Sequence, residues 1–166
     1  MKKKYILGAV LSFAVLGTSF AQDNENLVVN PSFETTKGKL KKLKSIHKAG
    51  DWLSPTSLRA DLFATSASEN VIGVPNNIYG KEEAADGENY AGIIAYSYRG
   101  KDPRTYVFSQ LKQKLEKGVR YCVSYKVSLA DLSKYAIDNL GAYLSSKPFG
   151  VEGKNDIVLG KKETVI

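Results

Sequence analysis

Four aromatic residues, Trp52, Tyr79, Tyr96 and Tyr98, are the side chains best suited to hold a ligand. Sugar rings stack their apolar faces on aromatic platforms, while nearby amides or carboxylates fix the hydroxyls. The same rings also suit the core of a β protein, because a tyrosine hydroxyl can reach water from a buried ring. Glu34, Glu88, Asp61 and Asp131 are carboxylates of the kind that glycoside hydrolysis uses in pairs. Their spacing fixes no distance between them, and the chain has no phosphate loop, zinc-binding helix or nucleophile elbow. One histidine makes a catalytic triad or a multi-histidine metal site improbable. One cysteine, Cys122, excludes an internal disulfide and a thiolate metal cage. A non-catalytic protein is therefore expected.

Charge adds one further feature. The formal net charge is +7 over 166 residues, and Lys2, Lys3 and Lys4 account for three of the positives. The rest of the chain carries +4, too mild an excess to point to a nucleic acid. The most basic stretch is 37–48, with six lysines and His47, and with Leu40, Leu43 and Ile46 at a spacing of three. It reads as a solvated loop or short surface helix. A contact for acidic polymers or lipid headgroups is the functional alternative.

These residues need elements to position them. An apolar fraction of 43% and a charged fraction of 25% are those of a globular chain. Residues 1–21 have the three parts of a secretory signal: a lysine cluster, an apolar run over 5–16, and small Ser19 and Ala21 before the expected cleavage. The run is shorter than the roughly 20 residues of a membrane span. An exported chain without a transmembrane segment in its mature part is expected, in the periplasm, on the outer membrane, or outside the cell.

Beyond residue 22 the pattern is β. Residues 27–29 form a short apolar run stopped by Asn30 and Pro31, after which Phe33 should turn inward. Residues 51–52 and 60–64 read as short strands. Residues 65–87 hold many turn formers and read as a long surface excursion. Residues 90–98 are apolar almost throughout, as in a central strand covered on both faces, and 106–111 is a further strand candidate. Residues 120–129 show the clearest alternation. Tyr121, Val123, Tyr125, Val127 and Leu129 should face a core, and Cys122 is expected to be buried within that strand. The expected fold is an all-β jelly-roll sandwich over 22–148. Residues 149–166 would be an incomplete C-terminal part of it or a tail, with short apolar runs at 157–159 and 164–166.

The run Asn26-Leu27-Val28-Val29-Asn30-Pro31-Ser32-Phe33-Glu34 resembles the opening strand of galactose-binding-like jelly rolls, and Asp51-Trp52 and Gly87-Glu88-Asn89-Tyr90-Ala91-Gly92 extend the likeness. Residues 72–80, 89–93, 121–125 and 128–136 look like the N-terminal domain of certain OmpA-family envelope proteins of Gram-negative bacteria, over about 26–148. In that family a separate C-terminal domain grips peptidoglycan, and its recognition positions have no counterpart here. The resemblance implies a non-catalytic β-sandwich at the cell envelope that binds or scaffolds, with a glycan or another envelope component as partner. It also implies a structural calcium held in part by Glu34, with Asp131 and Asp138 as weaker candidates. A carbohydrate-binding module with an aromatic sugar site is the first alternative function, and a small glycoside hydrolase the second.

Overall fold

A computed structural model describes residues 25–147 together with Gly150 and Ile157. The expected signal sequence and the C-terminal runs at 158–159 and 164–166 lie outside the described residues. The structure is strand-dominated, with β1 (Trp52–Leu53), β2 (Asp61–Ala64), β3 (Asn76–Asn77), β4 (Gly80–Lys81), β5 (Asn89–Gly92) and β6 (Phe108–Ser109). Its helical elements are short 3-10 turns at Ile46–Lys48 and Tyr98–Gly100. No helix among the described residues is long and apolar enough to cross a membrane.

The strands form three antiparallel pairs: β1 with β6, β2 with β5, and β3 with β4. The longest pair sets Leu62 opposite Ala91 and Phe63 opposite Tyr90. All four residues of β2 are buried, Asp61 included. Leu62, Phe63 and Ala64 set apolar side chains on both faces, so the strand is covered on both sides and Asp61 is buried with them. The core consists of Leu40, Ile46, Ala49, Ala60, Leu62, Phe63, Ala64, Ile72 and Val74, with Phe33, Leu43, Trp52, Tyr90 and Ala91 packed against it.

Several expectations hold. The basic stretch 37–48 is a loop closed by one 3-10 turn, and its Leu40, Leu43 and Ile46 are the residues that reach the core. Phe33 does turn inward, stacking on Trp52 at 4.8 Å between ring centroids. Residues 27–29 are reduced to one bridge, Val28 to Leu111. The excursion 65–87 is more structured than its turn formers suggest. It contains the β3–β4 hairpin and buries Ile72 and Val74.

The region after residue 92 departs further. Pairing stops at Gly92, and Ile93, Tyr96 and Tyr98 are exposed, so 90–98 is not a strand covered on two faces. Residues 120–129 are assigned to no strand. Val123 is 41% and Val127 68% exposed, and Cys122 is exposed rather than buried. The reason lies in the backbone. Among the described residues, 121–129 makes no backbone–backbone hydrogen bond. The segment is held instead by side chains: Lys126 Nζ donates to the Ala85 carbonyl (3.1 Å), and Ser128 Oγ donates to Glu82 Oε2 (2.7 Å). Alternation requires two different faces, but burial of one requires a second layer, and among the described residues the core is built from residues 40–74 with Phe33, Tyr90 and Ala91 packed against it. The described residues thus give three two-stranded antiparallel sheets, a strand-dominated arrangement compatible with an all-β class.

This arrangement makes a direct prediction. Val127→Asp should change the unfolding free energy by no more than about 0.5 kcal/mol in urea denaturation, as for other surface substitutions. A loss of several times that size would place Val127 in a packed layer.

Candidate functional site

Two distant stretches bring three tyrosines together. Tyr96 and Tyr98 lie two residues apart at the entry to the Tyr98–Gly100 turn, and both rings reach Tyr135. The loop after them is fixed by Ser97, whose Oγ donates to the Asp102 carbonyl (2.6 Å) and accepts the Asp102 N–H (2.9 Å). Tyr135 arrives from the loop following the open segment. That loop is tied down by Leu132 N–H to the Tyr79 carbonyl (3.1 Å), Ser133 N–H to the Ala130 carbonyl (2.8 Å), and Ser133 Oγ to the Tyr135 carbonyl (3.0 Å). The Tyr135 ring meets Tyr96 edge-on at 5.3 Å and lies parallel to Tyr98 at 6.2 Å. The Arg99 guanidinium sits 5.1 Å from the Tyr98 ring centre. The three rings are 47%, 49% and 46% exposed. They form an open aromatic surface beside a cation, with apolar area for a sugar face and a donor for its oxygens.

The other two candidate rings are elsewhere. Trp52 is half-buried against Phe33, and its Nε1–H donates to the Asn30 carbonyl at 2.7 Å. Tyr79 packs edge-on to Phe63 at 6.1 Å, and burial pushes its phenol above the ordinary value. Both rings serve packing. Tyr135 and Arg99 were not singled out by sequence reasoning. Tyr135 lies in the 128–136 segment that carries the family resemblance, but nothing in the spacing ties it to Tyr96.

The carboxylates divide among separate structural tasks. Glu34 Oε1 accepts the N–H groups of Glu88 (2.9 Å) and Asn89 (3.0 Å). It also lies against Gly87, which has φ +70°. A side chain there would strike the Glu34 carboxylate, so both the conformation and the close approach call for glycine. Glu88 Oε2 accepts the Thr65 hydroxyl (2.8 Å), and Asp131 Oδ2 accepts the Lys81 N–H (2.8 Å). The Glu34 arrangement does not fit a calcium shell built on Oε1. Two N–H dipoles point their positive ends at that oxygen, where the cation would need further oxygen ligands.

Asp61 is the buried carboxylate. Its Oδ1 accepts the Lys44 N–H at 2.6 Å. Burial pushes its carboxyl above the ordinary value, opposed by that hydrogen bond and by the Lys44 charge. An acid with a raised folded-state pKa holds its proton more tightly folded than unfolded. Its contribution to stability therefore falls as pH climbs from 3.8 through the raised value. Asp61→Asn keeps the accepting oxygen and removes the charge. The variant should be at least as stable as the parent at neutral pH, with a shallower decline of Tm from acid to neutral. A lower Tm at neutral pH would refute this.

No family model, curated protein or solved structure matched the chain.

Proposed function

We propose that the chain is an exported, non-catalytic binding domain of the cell envelope, resembling the N-terminal domain of OmpA-family proteins, and that its ligand is a glycan. The observation that supports this reading is the exposed tyrosine surface of Tyr96, Tyr98 and Tyr135 with Arg99 beside it. Rings held this far into solvent bury little area in the free protein and gain it on binding. A glycan array on the purified mature chain tests the reading. Bound sugars should lose about tenfold in affinity with Tyr135→Ala, the scale of a lost aromatic contact. Absence of any sugar binding by the parent chain would remove it.

A scaffolding role is the second reading, and a different observation favours it. Val119, Val123, Tyr125, Val127 and Leu129 are exposed along a stretch whose backbone between 121 and 129 is unpaired among the described residues. A strand from an envelope protein would satisfy those N–H and C=O groups and cover the apolar side. Amide exchange over 121–129 should then be slower in the envelope-associated chain than in the purified one. Equal rates would rule this role out.

A further inference from the structure

The loop 37–48 encloses a feature that neither reading of the function uses. An open cleft of about 840 Å³ lies between this loop and residues 57–59. Its walls carry Lys39, Lys41, Lys42, Lys44, Lys48 and Arg59, and no Asp or Glu among the described residues lines it. None of the six cations is paired with a carboxylate among the described residues. Lys48 is fixed in place, its Nζ donating to the Lys39 carbonyl at 2.7 Å. Asp61, on the core side, accepts the Lys44 backbone N–H and interacts with the Lys44 charge, but does not line the cleft.

Crowding this many like charges without counter-charges costs free energy in the free protein, and a bound anion would relieve it. A second, independent observation points the same way. Ser45 lines the cleft, is only 2% exposed, and its Oγ has no hydrogen-bond partner. Buried hydroxyls are nearly always satisfied, so this unpaired Oγ, in a residue that lines a cationic cleft, is a donor that rotation about χ1 would offer to an acceptor bound there. Lysines dominate over arginine, and they act as mobile point charges rather than planar forks. Such a set tolerates varied geometry and rewards total charge. The volume lies in the range of small-ligand sites and far exceeds one tetrahedral anion.

We propose that this cleft binds a ligand carrying two or more phosphate groups, with Ser45 Oγ donating to one of their oxygens and the surrounding cations neutralising the rest. The proposal does not depend on the tyrosine surface. Phosphate groups of this kind occur in soluble polyphosphates and on lipid headgroups, and the two sources share the chemistry of recognition.

His47 is the chain's only histidine and lines the same cleft, so its imidazole signal reports on the site without ambiguity. Burial and then Arg59, Lys48 and Lys42 hold its pKa below the ordinary value, while a hydrogen bond with the Lys44 backbone opposes them. A bound polyanion would offset the cationic contribution and raise that pKa.

The test is an NMR titration of His47 in the purified mature chain, with and without inorganic tripolyphosphate. The expected result is an upward shift of the imidazole pKa with saturable binding, weakened about tenfold between roughly 50 and 500 mM NaCl by screening. Lys41→Gln with Lys42→Gln, both at exposed positions lining the cleft, should weaken binding further without lowering Tm. Ser45→Ala should lose about tenfold in affinity, the scale of a hydrogen bond to a charged group, while leaving Tm unchanged or raised. Vesicles of phosphatidylglycerol, compared with phosphatidylcholine, separate the sources. Binding to both tripolyphosphate and the anionic vesicles supports a headgroup ligand, and binding to tripolyphosphate alone supports a soluble one. An unmoved His47 pKa with no binding to either probe, or binding indifferent to both sets of substitutions, would overturn the proposal.

Discussion

Phe63→Ala should destabilise the chain by about 3–5 kcal/mol, the range for removing a buried aromatic ring. Phe63 sits in the middle of β2 and is 2% exposed. Its ring stacks on Tyr90 across the β2–β5 pair at 4.9 Å and receives the edge of Tyr79. On the far side it lies against Gly92, where a Cβ would come within 2.6 Å of Phe63 Cε2. The glycine makes room for the ring, so its loss leaves a void that no neighbouring side chain at position 92 can fill. The rest of the buried cluster is aliphatic, and none of its side chains replaces the lost ring volume. A loss of this size is a large share of the 5–15 kcal/mol typical of a whole domain. Phe63→Leu, which retains part of the volume, should cost clearly less. Urea denaturation followed by tyrosine and tryptophan fluorescence measures both. A cost below about 1 kcal/mol for the alanine variant would mean that this ring does not organise the core.

Asn30→Ala should cost about 2–3 kcal/mol, through hydrogen bonds and backbone conformation together. The Asn30 Nδ2 donates to the carbonyls of Thr35 (3.1 Å) and Gly50 (2.9 Å), and its Oδ1 accepts the Thr35 N–H (2.9 Å). Its own carbonyl receives Trp52 Nε1–H and the Phe33 N–H. Its φ of 52° lies in the left-handed region, which asparagine enters more readily than most residues. The residue therefore joins the opening turn to β1 and holds the Phe33–Trp52 stack. Asn30→Gly separates the two contributions, since glycine keeps the conformation and loses the side-chain bonds. It should recover part of the alanine loss. Asn30→Asp keeps the acceptor but sets a carboxylate facing two carbonyls, and should be no better than alanine. Because Trp52 is the chain's only tryptophan, its emission reports directly on the joint. An alanine variant with unchanged stability and unchanged emission would refute this account.

The elements legible in the sequence are those whose burial is decided locally. Residues 60–64 are apolar enough to demand cover, and their partner 89–92 contains the glycine that the Phe63 ring requires. Leu40, Leu43 and Ile46 mark the inward side of an otherwise basic loop, and the structure buries or packs all three. Tyr96 and Tyr98 were legible as two of four candidate aromatic platforms, by residue type alone. What could not be read depends on contacts between distant parts of the chain. Alternation over 120–129 shows that two faces differ, but not that a layer exists to cover one of them. The meeting of Tyr135 with Tyr96 and Tyr98 depends on how the loop after the open segment folds back over the Tyr79 carbonyl. Glu34 was singled out as a metal ligand by resemblance. Its actual contacts, two amide groups more than fifty residues away, are set by the packing of the first turn against Gly87–Asn89.

The open stretch at 121–129 also bears on how the purified protein will behave in concentrated solution. Tyr121, Val123, Tyr125 and Val127 favour extended chain, and a backbone unpaired among the described residues makes a template for stacking with further molecules, the geometry from which fibrils grow. Lys126 is the single charge within 121–129, and its ammonium group is held at the Ala85 carbonyl. Each added molecule in register would set another lysine beside it, and the accumulating repulsion opposes growth. This one side chain acts as the gatekeeper of the stretch, and storage at low ionic strength, where its charge is least screened, will keep the chain dispersed.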